Sequence, residues 1–78
     1  MFTVYAIYSS KIDRFYIGQT SNLERRLLSH REFSVGFTAR ANDWELIYSE
    51  RVGTIEEARK REKQLKSGGG RRFLRGLL

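Results

Sequence analysis

Phe15-Tyr16-Ile17-Gly18-Gln19-Thr20-Ser21-Asn22-Leu23-Glu24-Arg25-Arg26-Leu27-Leu28-Ser29-His30 is the stretch from which the fold can be read. Phe15, Tyr16 and Ile17 read as a strand that stops at Gly18. A polar turn follows, and Ser21 or Asn22 then caps a helix running roughly from Leu23 to Arg31 with Glu24 in its first turn, where a carboxylate suits the dipole. Leu23 and Leu27 give that helix an apolar stripe, and Arg26 and His30, spaced i and i+4, form a second stripe beside it. Short strand-to-helix junctions set side chains beside free backbone N–H groups, which attract anions such as phosphate. The stretch therefore reads as half of a phosphate-handling site, with a first strand and a late helix supplying the rest.

Upstream, Phe2 to Tyr8 is rich in β-branched and aromatic residues and reads as a strand, with Phe2, Val4, Ala6 and Tyr8 on one face and Thr3, Tyr5 and Ile7 on the other. Pairing Tyr8 with Asp13 across the Ser9–Arg14 loop sets Tyr5 opposite Tyr16, both phenols on one side of the sheet. Downstream, Glu32 to Asn42 reads as a loop over the site. Trp44 to Arg51 reads as a third strand with Trp44, Leu46 and Tyr48 inward. Thr54 caps a helix reaching Lys66, with Glu56 and Glu57 in its first turn. On it Ile55, Ala58, Glu62 and Leu65 share a stripe, so Glu62 is half-buried and needs a cation beside it, either Arg26 or a metal. Ser67-Gly68-Gly69-Gly70 reads as the end of that helix, before a short one, Arg71 to Leu78, that packs Phe73, Leu74, Leu77 and Leu78 on the core.

The chain has 78 residues, which predicts one domain over residues 1–78, with any site built from residues that also hold the core. It has no cysteine and one histidine, which excludes disulfides, Cys-based zinc sites, a thiol nucleophile and a multi-His metal centre. The N-terminus lacks the features of a secretory signal, and no apolar run approaches the roughly 20 residues of a membrane span. The expectation is a soluble, cytoplasmic protein with no membrane partner. The net charge of +6 is uneven: residues 1–58 carry seven Lys/Arg against eight Asp/Glu, and residues 59–78 carry eight Lys/Arg against Glu62 alone. That basic end points to a polyanion, with nucleic acid ahead of acidic protein or lipid. With Arg25, the cations Lys63, Lys66, Arg71 and Arg72 are the candidate nucleic-acid contacts.

Five side chains are candidates for chemistry, each with a plainer alternative. Tyr5 and Tyr16 suit hydroxyls that orient or deprotonate a water, or are two half-buried strand tyrosines. Arg26 suits a phosphate clamp, being a rigid fork of donors, or is a surface arginine. His30 suits a proton donor to a leaving or bridging oxygen, or is a helix-end histidine in solvent. Glu62 suits a ligand for a hard divalent cation, which takes one or two protein carboxylates, or is a structural ion pair. The Gly68–Gly70 run reads as a helix end and turn rather than a phosphate cradle.

In order, Val4-Tyr5, Tyr16-Ile17-Gly18, Arg26, His30, Arg61-Glu62 and Gln64-Leu65-Lys66 resemble the GIY-YIG nuclease family, above all its small stand-alone bacterial members, over essentially the whole chain. The resemblance implies an α/β fold, a three-stranded antiparallel sheet flanked by helices in the order β-β-α-β-α-α, which agrees with the elements above. It implies an endonuclease that hydrolyses phosphodiester bonds with Mg²⁺ or Mn²⁺, acting on DNA, with branched or damaged DNA, a DNA-repair role and RNA all left open, as is the oligomeric state. By resemblance Tyr5 is a general base or water-orienting group and Tyr16 the tyrosine of the second motif. Gly18 permits tight packing, Arg26 is the electrophilic clamp, His30 supports proton transfer, and Glu62 is the metal ligand. One metal is expected, since two would need several clustered carboxylates. For Tyr5 to serve as a base near pH 7, Arg26 and the metal must pull its pKa down. Two departures stand out: the first motif here reads Thr3-Val4-Tyr5, without the glycine and isoleucine of the family name, and the asparagine that many catalytic members of the family carry near the domain's end has no counterpart after Glu62. Two further readings stay open: a nucleic-acid-binding module of the same fold without turnover, and a scaffold domain for an acidic partner.

Overall fold

Eight consecutive residues, Phe2–Ser9, form β1, which lies at the centre of a three-stranded antiparallel sheet of order β2-β1-β3 in the computed structural model, with β2 at Arg14–Thr20 and β3 at Glu45–Val52. The structure describes residues 1–32 and 41–78, with the side chains of residues 28–32 outside that description. A central strand buried on both faces needs an apolar run rather than strict alternation, and Val4, Tyr5, Ala6 and Ile7 are all buried. Val4 and Ala6 face Ala58, Leu65 and Leu74, while Tyr5 and Ile7 face Ala41, Trp44, Leu23 and Leu27. The expected division of faces is thus observed. Of the expected loop over the site, Glu32 to Asn42, residues 33–40 lie outside the described residues, and Glu32 belongs to α1.

Register departs from expectation. Tyr8 pairs with Phe15 and Tyr5 with Gly18, two residues away from the Tyr8–Asp13 pairing, so Tyr16 lies diagonal to Tyr5 rather than opposite it. An even slip preserves the faces, and the two phenol rings still share one side with centroids 6.4 Å apart. The cause is Asp13, which takes the left-handed φ of 52° in the turn instead of joining a strand. Its carboxylate accepts from the Tyr8 hydroxyl at 2.6 Å. Asp43, just before β3, braces the same turn by accepting from the hydroxyls of Ser9 and Ser10 and from the Lys11 N–H.

The third strand carries a bulge. Ala6 pairs with Tyr48 but Ile7 pairs with Leu46, so Ile47 is an inserted residue. The insertion breaks the expected common face of Trp44, Leu46 and Tyr48: Trp44 joins the Tyr5 cluster, Tyr48 and Ile47 join the opposite one, and Leu46 is 41% exposed.

Helix α1 spans Leu23–Glu32, α2 Ile55–Lys66 and α3 Gly68–Gly76. Asn22 caps α1 through its side-chain oxygen to the Arg25 N–H, and Thr54 caps α2 through the Glu57 N–H. The three glycines do not form a turn: α3 begins at Gly68, three residues before the expected Arg71. Ser67 makes this possible, since its hydroxyl donates to the Gln64 carbonyl and accepts from the Gly70 N–H, closing one helix and opening the next. At Gly70 any Cβ would collide with the backbone carbonyls of Gln64 and Leu65, so glycine lets α3 approach the end of α2. Of the four apolar residues expected to pack back from α3, Leu74 is fully buried. Phe73 meets Tyr48 edge to face with 45% of its surface exposed, and Leu77 and Leu78 remain exposed. No described helix is long and apolar enough to cross a membrane.

Candidate active site

Tyr5 and Gly18 face each other across β1 and β2. A Cβ at Gly18 would lie 2.8 Å from the Tyr5 hydroxyl oxygen, 3.0 Å from Tyr5 Cζ and 3.2 Å from Tyr16 Cε1. Gly18 therefore stands where both phenols need space, which is the tight packing expected of it. Tyr5 is fully buried on the sheet face covered by α1, whereas Tyr16, half-buried, opens onto a cleft.

Arg26 reaches the same spot from the first turns of α1, where the Asn22 carbonyl accepts from its backbone N–H at 3.1 Å. Its guanidinium lies near enough to the Tyr5 phenol to favour the phenolate. Burial pushes the Tyr5 pKa up, the Arg26 guanidinium pulls it down, and Tyr16 and Glu62 push it up again; the balance is upward from 10.0. Arg26 pulls the Tyr5 pKa down as expected, but desolvation of the phenolate outweighs that one cation, so Arg26 by itself does not make Tyr5 a base near pH 7. Tyr5 is a neutral phenol at pH 7.

Glu62 projects from α2 into a cleft of about 650 Å³ that Tyr16 also lines. Glu62 has a cation beside it, as its half-burial requires, but of the two expected, Arg26 or a metal, the side-chain place is taken by neither: Lys66 Nζ donates to Glu62 Oε1 at 3.0 Å. The reason is geometric: residues four apart on a helix are neighbours. Arg26 is taken up with Tyr5, whose pKa also registers the Glu62 charge. Among the described residues no three of His, Cys, Asp and Glu converge. A Mg²⁺-like ion needs only one or two carboxylates, with water and substrate oxygens completing its shell. Glu62, with 23% of its side chain exposed on an open cleft, fits that modest requirement.

The remaining walls of the cleft are basic. Arg14 and Ile17 come from β2, Lys66 from α2, and Arg71 and Arg75 from α3, and Asp13 and Phe15 complete the lining. Of the expected nucleic-acid contacts, Lys66 and Arg71 line the cleft, while Lys63 and Arg72 are exposed outside the lining. Arg25 lines a second hollow with Arg26, Ser21 and Asn22 at the start of α1. Arg61, in the basic segment, is not available as a contact in this arrangement: it binds Glu50 at 2.8 Å and Tyr48 at 3.5 Å, tying α2 to β3. Sequence reasoning does not reach Arg14, whose one signal is its position directly before the Phe15–Tyr16–Ile17 strand, and it reaches Arg75 only as one cation of the basic end. His30 lies in α1, with its side chain outside the described residues.

A family model described as the GIY-YIG catalytic domain matches residues 1–73 of the chain. No curated protein and no solved structure matches it.

Proposed function

The chain belongs to the GIY-YIG family, a family of nucleases, and from that membership we propose that it is a divalent-metal-dependent endonuclease hydrolysing DNA phosphodiester bonds. In this reading residues 1–78 act as one catalytic domain in the cytoplasm. The observation that carries it is geometric: Glu62 shares a basic cleft with Tyr16, and the Tyr16 ring lies beside that of Tyr5 with centroids 6.4 Å apart.

Glu62 would hold Mg²⁺ or Mn²⁺, which when bound polarises a phosphoryl oxygen and offsets developing negative charge. The residues of the chain divide the remaining work. Arg26 carries five N–H donors, more than one phenol can accept, so its guanidinium can hold Tyr5 and a non-bridging phosphate oxygen together. Tyr5, kept neutral by burial, orients a water with its hydroxyl instead of taking its proton. Tyr16 brings a second hydroxyl to the cleft wall. His30, the chain's one imidazole, is assigned proton transfer because its ordinary pKa lies near neutrality. Arg14, Lys66 and Arg71 neutralise backbone phosphates, which makes binding depend steeply on salt. Branched or damaged DNA suits a site that contacts phosphates, because shape then selects the substrate.

Plasmid nicking with Mg²⁺ or Mn²⁺ tests this reading. Nicking should need the metal, stop with EDTA and vanish in Glu62→Ala while DNA binding persists. Nicking by purified Glu62→Ala at an undiminished rate would sink the metal assignment. A second reading, a nucleic-acid-binding module without turnover, is favoured by the lack of an asparagine after Glu62; it predicts salt-dependent binding and no metal-dependent nicking at all.

A further inference from the structure

We propose that Lys66 is a stand-in cation for the Glu62 carboxylate, which it holds until a substrate phosphate draws it away, so that loading of a divalent cation on Glu62 is coupled to the arrival of nucleic acid. The inference rests on the reading of Glu62 as the metal ligand and assigns Lys66 a positioning role within it.

The geometry supplies both partners of the exchange. Lys66 Nζ donates to Glu62 Oε1 at 3.0 Å, and both side chains line the cleft that Tyr16 and Arg71 also line. An anion entering the cleft therefore meets Lys66 at the carboxylate itself. The two side chains differ in freedom, since Lys66 is 55% exposed and Glu62 23%. The lysine stem can swing while the carboxylate stays in place. Two other cations of this region are committed: Arg75 to Asp13 and Arg61 to Glu50.

Magnitudes favour exchange over a permanent bridge. An exposed i,i+4 ion pair biases a population by only about twofold, so a phosphate that offers Lys66 a better partner breaks it readily. While the pair stands, a positive charge beside the carboxylate repels an incoming dication. Across a partly screened gap of a few ångströms this weakens binding roughly three- to tenfold.

The test uses Mn²⁺ as probe on the full chain without nucleic acid, reading the paramagnetic broadening of the Tyr16 and Ile17 amide signals by NMR. Lys66→Met keeps the stem and removes the charge; Lys66→Gln serves as a second variant, with circular dichroism to establish that each is folded. Both should bind Mn²⁺ roughly three- to tenfold more tightly than the parent. In EDTA, both should bind duplex DNA with a log K against log salt slope shallower by about one. Unchanged or weaker Mn²⁺ affinity in both variants, an unchanged salt slope, or no broadening in any protein overturns the proposal. Glu62→Gln separates the two levels: if it abolishes broadening while the Lys66 variants gain nothing, only the coupling fails. If Glu62→Gln still binds Mn²⁺ at the same signals, the metal assignment fails with it.

Discussion

Asp13 and Arg75, 62 positions apart, meet in a two-pronged ion pair, with Nη1 and Nη2 each 3.2 Å from a carboxylate oxygen. The pair joins the β1–β2 turn to α3, and the guanidinium also sits 5.4 Å from the centre of the Phe15 ring. The Tyr8 hydroxyl and Arg75 hold the Asp13 carboxyl below its usual 3.8, and bonds from Ser9, Lys11 and Ser10 do the same for Asp43. A depressed carboxylate contributes stability above its unfolded pKa and loses it as pH falls through the folded one. Urea midpoints should therefore drop between pH 5 and pH 2, and the drop should be smaller in the Asp13→Asn, Asp43→Asn double variant. Equal slopes in the two proteins would refute this.

The left-handed backbone at Asp13 gives a second comparison. Asp13→Gly and Asp13→Ala both remove the ion pair, but glycine accepts a φ of 52° without penalty and alanine does not. Asp13→Gly should melt at a higher temperature than Asp13→Ala in calorimetry.

Gly18→Ala places a methyl group 2.8 Å from the Tyr5 hydroxyl oxygen. The Tyr5 ring is fully buried and cannot swing out, so overpacking should cost about 1–3 kcal/mol in denaturant unfolding. If the endonuclease reading holds, nicking should fall further than that stability loss explains, because Tyr5 and Tyr16 both move. Full activity together with parental stability would show that the contact is soft.

Tyr5→Phe removes the hydroxyl beside Arg26 and should cost about 1 kcal/mol at pH 7. Because the Tyr5 pKa is raised above 10.0, its contribution is whole below pH 10 and is lost as pH climbs towards the folded value. Between pH 9.5 and 11 the parent should lose stability more steeply than Tyr5→Phe. Parallel curves would mean that the phenol is not held neutral by its burial.

Gly70→Ala should destabilise by about 1–3 kcal/mol, against a small effect for Gly69→Ala, which meets nothing closer than the tip of Arg72. Urea unfolding of the two variants side by side measures the difference, and similar values would deny the close approach of α2 and α3.

Local chemistry was legible in the sequence: the two faces of β1, the caps Asn22 and Thr54, and the placing of Tyr5 and Tyr16 on one side follow from side-chain period and capping preference. What escaped was set at long range. The register depends on Asp13, whose turn is held by Arg75 from the far end of the chain. The Ile47 bulge reverses an alternation that looks regular in sequence. Glycine propensity argued for a break where Ser67 and the close contact at Gly70 sustain a helix. In the site, the acid's half-burial was readable, but its choice of Lys66 over Arg26 and the upward pKa of Tyr5 depend on distances and desolvation that spacing does not encode.

Ser67 has a mechanical consequence. One hydroxyl terminates α2 and starts α3, so the two helices form a stiff elbow, and the backbones at Lys66 and Arg71 on its two arms keep a fixed span like the hinges of a caliper while their side chains stay free to reach. Widening the cleft would part this elbow from the β2 edge of the sheet, and the Asp13–Arg75 pair spans that seam.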